Sequence, residues 1–185
     1  MNIRGWIGGW FAPQAGRTAT PAHDALSRYL RQGATDFRPW LDLGCGDGKQ
    51  AGSLGMDRRA LPGVDVVHDI EVLPYPFPDG QFDRVTMSHV MEHIDPAIAV
   101  DVVNEVWRVM RVDGVFMLSM PYPGSVGHWQ DPTHIRPWNE HTPCYFDPDF
   151  PDLYLIYKPK PWKIEARVWR NDGNIEIALR KRAET

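Results

Sequence analysis

The sequence predicts an α/β fold: one domain with a mainly parallel central sheet, closed at its C-terminal end by an antiparallel hairpin. Three observations predict it. Short apolar runs, among them Trp40-Leu41-Asp42-Leu43 and Val115 to Met120, are interleaved with helix-type periodicity, the pattern of strands linked by crossovers. The first run passes straight into Gly44-Cys45-Gly46-Asp47-Gly48, a turn that only glycine-rich sequence tolerates. The last two runs, Ile164 to Val168 and Ile175 to Leu179, alternate around Asn171-Asp172-Gly173-Asn174, which reads as a β-hairpin.

A first helix is expected from Thr20-Pro21, a capping residue with proline at the first helical position, through Ala22, Ala25, Leu26, Tyr29 and Leu30 to Gly33. The first strand follows at Trp40–Leu43. A second is expected at Ser53 to Met56, ending on Asp57, a third at Val64 to Val67, ending on Asp69, and a fourth at Phe82 to Met87. Asp95-Pro96 repeats the cap-plus-proline signal and opens a helix with Ile98, Val102, Val103, Val106, Trp107 and Met110 inward, closed by Gly114. Val115 to Met120 is apolar almost throughout, as in a strand buried on both faces. Nine of seventeen prolines lie between Pro121 and Pro161, so that stretch is expected to be mostly loop.

The chain has 185 residues, 43% of them hydrophobic and 24% charged, which suits one globular domain. Two widely separated cysteines, Cys45 and Cys144, make no disulfide framework and favour a cytoplasmic location. No apolar run approaches the ~20 residues of a membrane helix, and the N-terminal Arg4 to Phe11 run is too short and glycine-rich for a signal peptide. Net charge is -4, against a general nucleic-acid binder. Both ends are basic: residues 1–38 hold five Arg against two Asp, and residues 158–185 hold eight basic against four acidic groups.

The chemistry gathers at the expected carboxyl edge of the sheet. The glycine loop offers bare backbone N–H groups there, where open α/β sheets bind ligands. Acidic residues end the next two strands, Asp57 and Asp69. A carboxylate at the first position can take both ribose hydroxyls, and one at the second can accept from an exocyclic amine, which together describe an adenosine site.

Leu41-Asp42-Leu43-Gly44-Cys45-Gly46-Asp47-Gly48, Gly55-Met56-Asp57 and the segment from His68-Asp69-Ile70 through Leu73-Pro74 to Phe82-Asp83 resemble the S-adenosylmethionine (SAM) site of class I methyltransferases, in particular the small type 11 group. The likeness continues through Ser88-His89-Val90-Met91-Glu92-His93, the run Glu105 to Gly114, and Asp131-Pro132-Thr133-His134, covering about residues 40–146. The resemblance implies a single Rossmann-like methyltransferase domain over 1–185. Its parts would be an N-terminal lid or helical extension (1–38), a SAM-binding core (39–120), a Pro-rich substrate-side segment (121–161) and the C-terminal hairpin (162–185). It implies SAM as cofactor and S-adenosylhomocysteine as product. It also implies cofactor contacts from Asp42, Gly44, Cys45, Gly46, Asp57, Asp69, Ile70, Ser88 and His89.

One departure from that pattern concerns the first crossover helix, which is expected to be shortened or absent because too few residues separate the glycine loop from Asp57. The alternative register makes Val64 to Val67 the second strand and Asp65 the ribose acid. Asp57 is preferred, because the Leu73 to Asp83 segment makes Asp69 the adenine residue.

His89-Val90-Met91-Glu92-His93 matches the H-x-x-E-H string of one class of zinc peptidases, but it follows a buried strand in a sheet that already has a nucleotide site. His128, Asp131, His134, His141 and Cys144 fit no standard zinc spacing, so no metal is expected. His89, His134 and Asp131 are the catalytic candidates, with imidazole as the base for a protonated acceptor. Trp10, Trp129, Asp131, His134 and Arg136 are the substrate-side candidates. Trp6, Trp10, Phe11, Trp129 and Trp138 are expected to form a lid over a small polar or aromatic acceptor, such as a glycan precursor or secondary metabolite. Trp40, Trp107, Trp162 and Trp169 are expected to pack. A nucleic-acid or protein acceptor and a non-catalytic SAM-binding scaffold are the alternatives, and the oligomeric state is left open.

Overall fold

The computed structural model describes residues 40–184. The expected helix at Thr20 to Gly33, and with it Trp6, Trp10 and Phe11, lies outside them.

Seven strands form one sheet in the order β3-β2-β1-β4-β5-β7-β6. They are β1 (Trp40–Leu43), β2 (Ser53–Asp57), β3 (Val66–Val67), β4 (Phe82–Ser88), β5 (Met110–Pro121), β6 (Trp162–Trp169) and β7 (Asn174–Lys181). The first five pair in parallel. β7 runs antiparallel between β5 and β6. All five residues of β2 are buried, as are the last six of β5, which is why these strands read as continuous apolar runs instead of alternating.

Residues 44–52 join β1 to β2 with no helix, so the expected shortened or absent first crossover is an absent one. The register Leu41↔Leu54 to Leu43↔Met56 places Asp57 one residue beyond the end of β1, at the carboxyl edge. Asp65 instead precedes the two-residue β3.

Helix α1 (Ala99–Val109) makes the crossover from β4 to β5, with Val102, Val103, Val106 and Val109 buried on its inner face. Its ends differ from the expected ones. Asp95 Oδ1 accepts from the Ala97 amide, so the aspartate builds a turn and the helix starts afterwards. At the other end the chain becomes strand at Met110, four residues before the expected stop at Gly114. Met110 is fully buried in either reading, so the apolar period could not mark the change. Gly114 serves another purpose: a Cβ there would lie 2.9 Å from the Arg111 carbonyl oxygen and 3.1 Å from that of Asp83. Asp113 beside it takes the left-handed conformation, φ 65°.

The Pro-rich stretch holds more structure than expected. Helix α2 (Val126–Trp129), a 3-10 turn (Thr142–Phe146) and helix α3 (Pro151–Tyr157) lie in it. Pro151 stands in the first turn of α3, where its missing N–H costs nothing. Trp138, expected in the lid, is buried and stacked on Phe146, with ring centroids 5.6 Å apart. The packing expectation holds best for Trp162, fully buried against Phe116. Trp40 and Trp107 are half-buried, and Trp169 is exposed over Tyr122.

Candidate active site at the carboxyl edge of the sheet

The glycine loop is shaped by two left-handed residues, Gly44 (φ 65°) and Gly46 (φ 56°), conformations that side-chain-bearing residues rarely take. The Gly44 and Cys45 amides both donate to the Met56 carbonyl, tying the loop to the end of β2. Asp42 is fully buried: Oδ1 accepts from Thr86 Oγ1 at 3.1 Å and Oδ2 from the Gln50 amide at 3.0 Å. It thus fastens the far end of the loop to the sheet.

Asp57 faces the loop from β2. Its Oδ2 accepts the Gly46 amide at 2.8 Å, and its Oδ1 accepts the Arg59 amide at 2.9 Å and Arg59 Nε at 3.2 Å. Burial alone would raise its pKa, but the Arg59 and Gly46 hydrogen bonds outweigh that and hold the carboxylate below its ordinary range. Asp65 is committed elsewhere: Oδ2 accepts from Lys49 Nζ at 2.6 Å and the Gly55 amide at 2.7 Å. Asp69 caps its own turn through the Glu71 amide, and the adjoining Ile70 is buried with its carbonyl accepting from Tyr75 O–H.

At the end of β4, Ser88 is buried and its hydroxyl has no hydrogen-bond partner among the described residues. The same holds for Ser119 Oγ on the facing position of β5. His89 adopts φ 54°, an uncommon conformation for a non-glycine residue, and its amide donates to the Ser119 carbonyl. Its Nε2 is buried without a partner, while Nδ1 lies 3.4 Å from Glu92 Oε1. A glycine loop tied to Met56 and Asp57, a strand-end carboxylate and unpaired buried hydroxyls along one edge fit a nucleoside cofactor with polar functions on several sides.

The 131–136 loop closes against this edge. The Ile135 and Arg136 amides both donate to the Glu92 carbonyl, at 2.8 and 3.3 Å. Their bonds bring His134 Nε2 to 3.9 Å from Glu92 Oε1 and 3.8 Å from Asp131 Oδ2. His134 Nδ1 contacts the His128 carbonyl oxygen at 2.8 Å. A carbonyl only accepts, so Nδ1 carries the hydrogen and Nε2 the lone pair. The buried His128 is pushed down in pKa, by burial first and then by His134 beside it. Asp131 Oδ1 accepts from the Thr133 amide and hydroxyl, which keep that carboxyl low.

The structure therefore brings His89, Asp131 and His134 together. It leaves Arg136 exposed, with no ion pair to Asp131 or Glu140 among the described residues. Trp129 is 74% exposed, its indole N–H donating to the Pro123 carbonyl. Trp10 lies outside the described residues. Sequence reasoning gave no role to Glu92, which is 1% exposed and central to the cluster. The available signal was a carboxylate between two histidines just after a buried strand.

No helix among the described residues is long and apolar enough to cross a membrane. A search of curated proteins finds no match. Solved structures do match: a SAM dependent methyltransferase from Archaeoglobus fulgidus (20% identity, 86% of this chain and 92% of that one, TM-score 0.55), and 1,6-didemethyltoxoflavin-N1-methyltransferase from Burkholderia thailandensis (18%, 93% and 95%, 0.53). A third is the 16S rRNA (adenine(1408)-N(1))-methyltransferase from Catenulisporales acidiphilia (14%, 86% and 92%, 0.56). At such identities the likeness is one of fold. The family model described as "Methyltransferase domain" matches residues 41–118, the span from β1 through most of β5. Over residues 41–118 the chain is thus similar to that methyltransferase domain, and its mainly parallel sheet has the Rossmann-like fold of the solved methyltransferases.

Proposed function

We propose that the chain transfers the methyl group of SAM to a small polar or aromatic molecule. The observation that carries this reading is the polar wall at the end of β4, where a backbone-anchored loop sets His134 and Asp131 within 4 Å of one another beside the buried Glu92. A tight wall of titratable groups suits a compact polar acceptor. A net charge of -4 gives a polyanion no general electrostatic hold.

Bound SAM supplies a methyl carbon already activated by its positive sulfur. The protein's share is to hold both reactants in line and to exclude water. Gly44, Cys45 and Gly46 present backbone to the methionine part, Asp57 takes the ribose hydroxyls, and Asp69 and Ile70 frame the adenine. Asp42 acts through the loop it fastens. Ribose binding requires the exposed Arg59 side chain to leave Asp57 Oδ1, which it meets across only one Nε–H bond.

Ser88 and His89 lie beyond the glycine loop, at the end of β4. With Nδ1 turned to Glu92, His89 keeps Nε2 for the acceptor's proton. With SAM bound, the acceptor's lone pair would bond to the methyl carbon as the methyl–sulfur bond breaks and S-adenosylhomocysteine leaves, and His89 Nε2 would take the acceptor's proton. Asp131 and His134 position the acceptor.

The test is S-adenosylhomocysteine formation with purified protein across sugar, phenol and amine acceptors, with transfer RNA, ribosomal RNA and basic proteins alongside. Turnover with a small molecule is expected. Turnover confined to RNA or protein would overturn the acceptor class, and tight SAM binding without turnover on any of them would favour a scaffold. His89→Ala should lose roughly 100-fold in rate, and less with acceptors that arrive already deprotonated. An equal loss for both acceptor types would remove the base assignment.

A further inference from the structure

We propose that Glu92, His93 and His134 form a binding site for a divalent transition-metal ion, with Asp131 as a fourth donor. Metal binding is measured without turnover, so this stands apart from the methyl-transfer reading.

Each of the three residues offers one ligand atom, and the three atoms lie within 4.8 Å of one another. Three points so spaced are within about 2.8 Å of a common centre, and metal bonds of about 2.0–2.2 Å to imidazole and carboxylate then need shifts of under about 1 Å. His134 Nε2 already stands 3.9 Å from Glu92 Oε1 and 3.8 Å from Asp131 Oδ2. Donors sharing a tetrahedral ion at those bond lengths sit about 3.4 Å apart.

Glu92 is the observation that points to a ligand. Its side chain is almost wholly buried, yet neither oxygen accepts a hydrogen bond from any described residue. A buried carboxylate left that way is costly. His89 and His134 flank it at ion-pair distance without hydrogen-bonding geometry. A cation between the carboxylate and the imidazoles would satisfy both.

The histidines are set in the ligating tautomer by their outer partners. His134 Nδ1–H is spent on the His128 carbonyl, leaving the Nε2 lone pair toward Glu92 and Asp131. The Thr133 hydroxyl donates to Asp131 Oδ1 at 2.6 Å, so at 3.0 Å it can only accept from His93 Nδ1. The Thr133 carbonyl, 3.2 Å from the same nitrogen, likewise only accepts. Nε2 of His93 is therefore its lone-pair nitrogen. An imidazole whose second nitrogen donates to a carbonyl or oxygen partner is the usual arrangement of a metal-bound histidine. Two imidazoles with one or two carboxylates suit zinc, cobalt, iron or manganese over calcium or magnesium.

The experiment is titration of the full-length, tag-free, chelator-treated protein with Zn²⁺ by calorimetry and with Co²⁺ by visible absorption. One equivalent should bind, with a Co²⁺ d–d band. Glu92→Gln, His93→Ala and His134→Ala should each weaken binding at least 10-fold, while His141→Ala, at an exposed imidazole elsewhere on the chain, leaves it unchanged. Because Glu92 is buried, circular dichroism confirms folding of each variant, and His93→Ala provides the arm that disturbs the core least. Absence of a stoichiometric Co²⁺ band, or equal loss in His141→Ala and His134→Ala, would overturn the proposal.

Discussion

Asp57 accepts the Gly46 amide through Oδ2 at 2.8 Å, so the acid at the end of β2 holds the glycine loop against the carboxyl edge of the sheet. Asp65, eight residues on, instead grips the Gly55 amide and Lys49 within the sheet's own framework. The two aspartates should separate cleanly. Asp57→Ala is expected to weaken SAM binding by roughly 10- to 100-fold, the scale of a lost charge-assisted hydrogen-bond set. Asp65→Ala should chiefly lower the melting temperature. Calorimetry with SAM and thermal melts of both variants check this, and equal or reversed SAM effects would overturn the assignment of the ribose to Asp57.

Gly44 has no space for a side chain. A Cβ there would meet Val90 Cγ2 at 2.3 Å, and its φ of 65° disfavours any L-residue. Gly44→Ala should cost at least about 2 kcal/mol, combining left-handed strain of about 1–2 kcal/mol with overpacking of about 1–3 kcal/mol. Adding Val90→Ala should recover part of the overpacking and none of the strain. Urea melts of the single and double variants measure the difference.

Arg108 binds Glu105 through two hydrogen bonds, at 2.6 and 2.9 Å, and also donates to the Tyr75 and Phe77 carbonyls and to Asp79. Glu105 itself accepts the Tyr75 amide at 2.6 Å. The pair pins the 75–79 loop, next to Asp69 and Ile70, onto α1. Arg108→Ala leaves the buried Glu105 charge without its cation and should destabilise by about 2–3 kcal/mol, less than a fully buried pair because Arg108 is partly exposed. In a domain of this size the melting temperature should fall by roughly 5–10 °C.

Lys181 is 6% exposed, with Nζ 2.6 Å from the Met110 carbonyl and 3.6 Å above the Trp107 ring. Burial pushes its pKa down to about 8, below the ordinary lysine value of about 10.4. Between these values the folded protein has released a proton that the unfolded chain still holds. This group's contribution to stability therefore rises with pH across that window and is flat below it. Lys181→Met should remove the rise. Melts from pH 7 to 10.5 should show the wild type gaining on the variant by a few °C above pH 8, and parallel curves would contradict the shift.

The parallel sheet, the hairpin and the missing first crossover helix were legible because each leaves a local mark: apolar runs, an Asn-Asp-Gly-Asn turn, a connection too short for a helix. The end of α1 was not, since Met110 is core in helix or strand alike. Trp138 was misplaced because composition puts it among prolines, whereas its partner Phe146 is brought in by a 3-10 turn with no strong periodicity. The gathering of Glu92 with His134 was hidden for a different reason. It depends on backbone bonds between segments some forty residues apart, and those bonds leave no side-chain pattern.

That backbone tether has a consequence for how the acceptor side can change over time. The loop bearing Asp131 and His134 hangs on one carbonyl oxygen, that of Glu92, through the amides of Ile135 and Arg136. Amide and carbonyl groups are common to nearly every residue, so substitution at Ile135 or Arg136 by anything but proline preserves the attachment. Side chains along the loop are thus open to selection for new substrates while its position against the sheet is inherited unchanged.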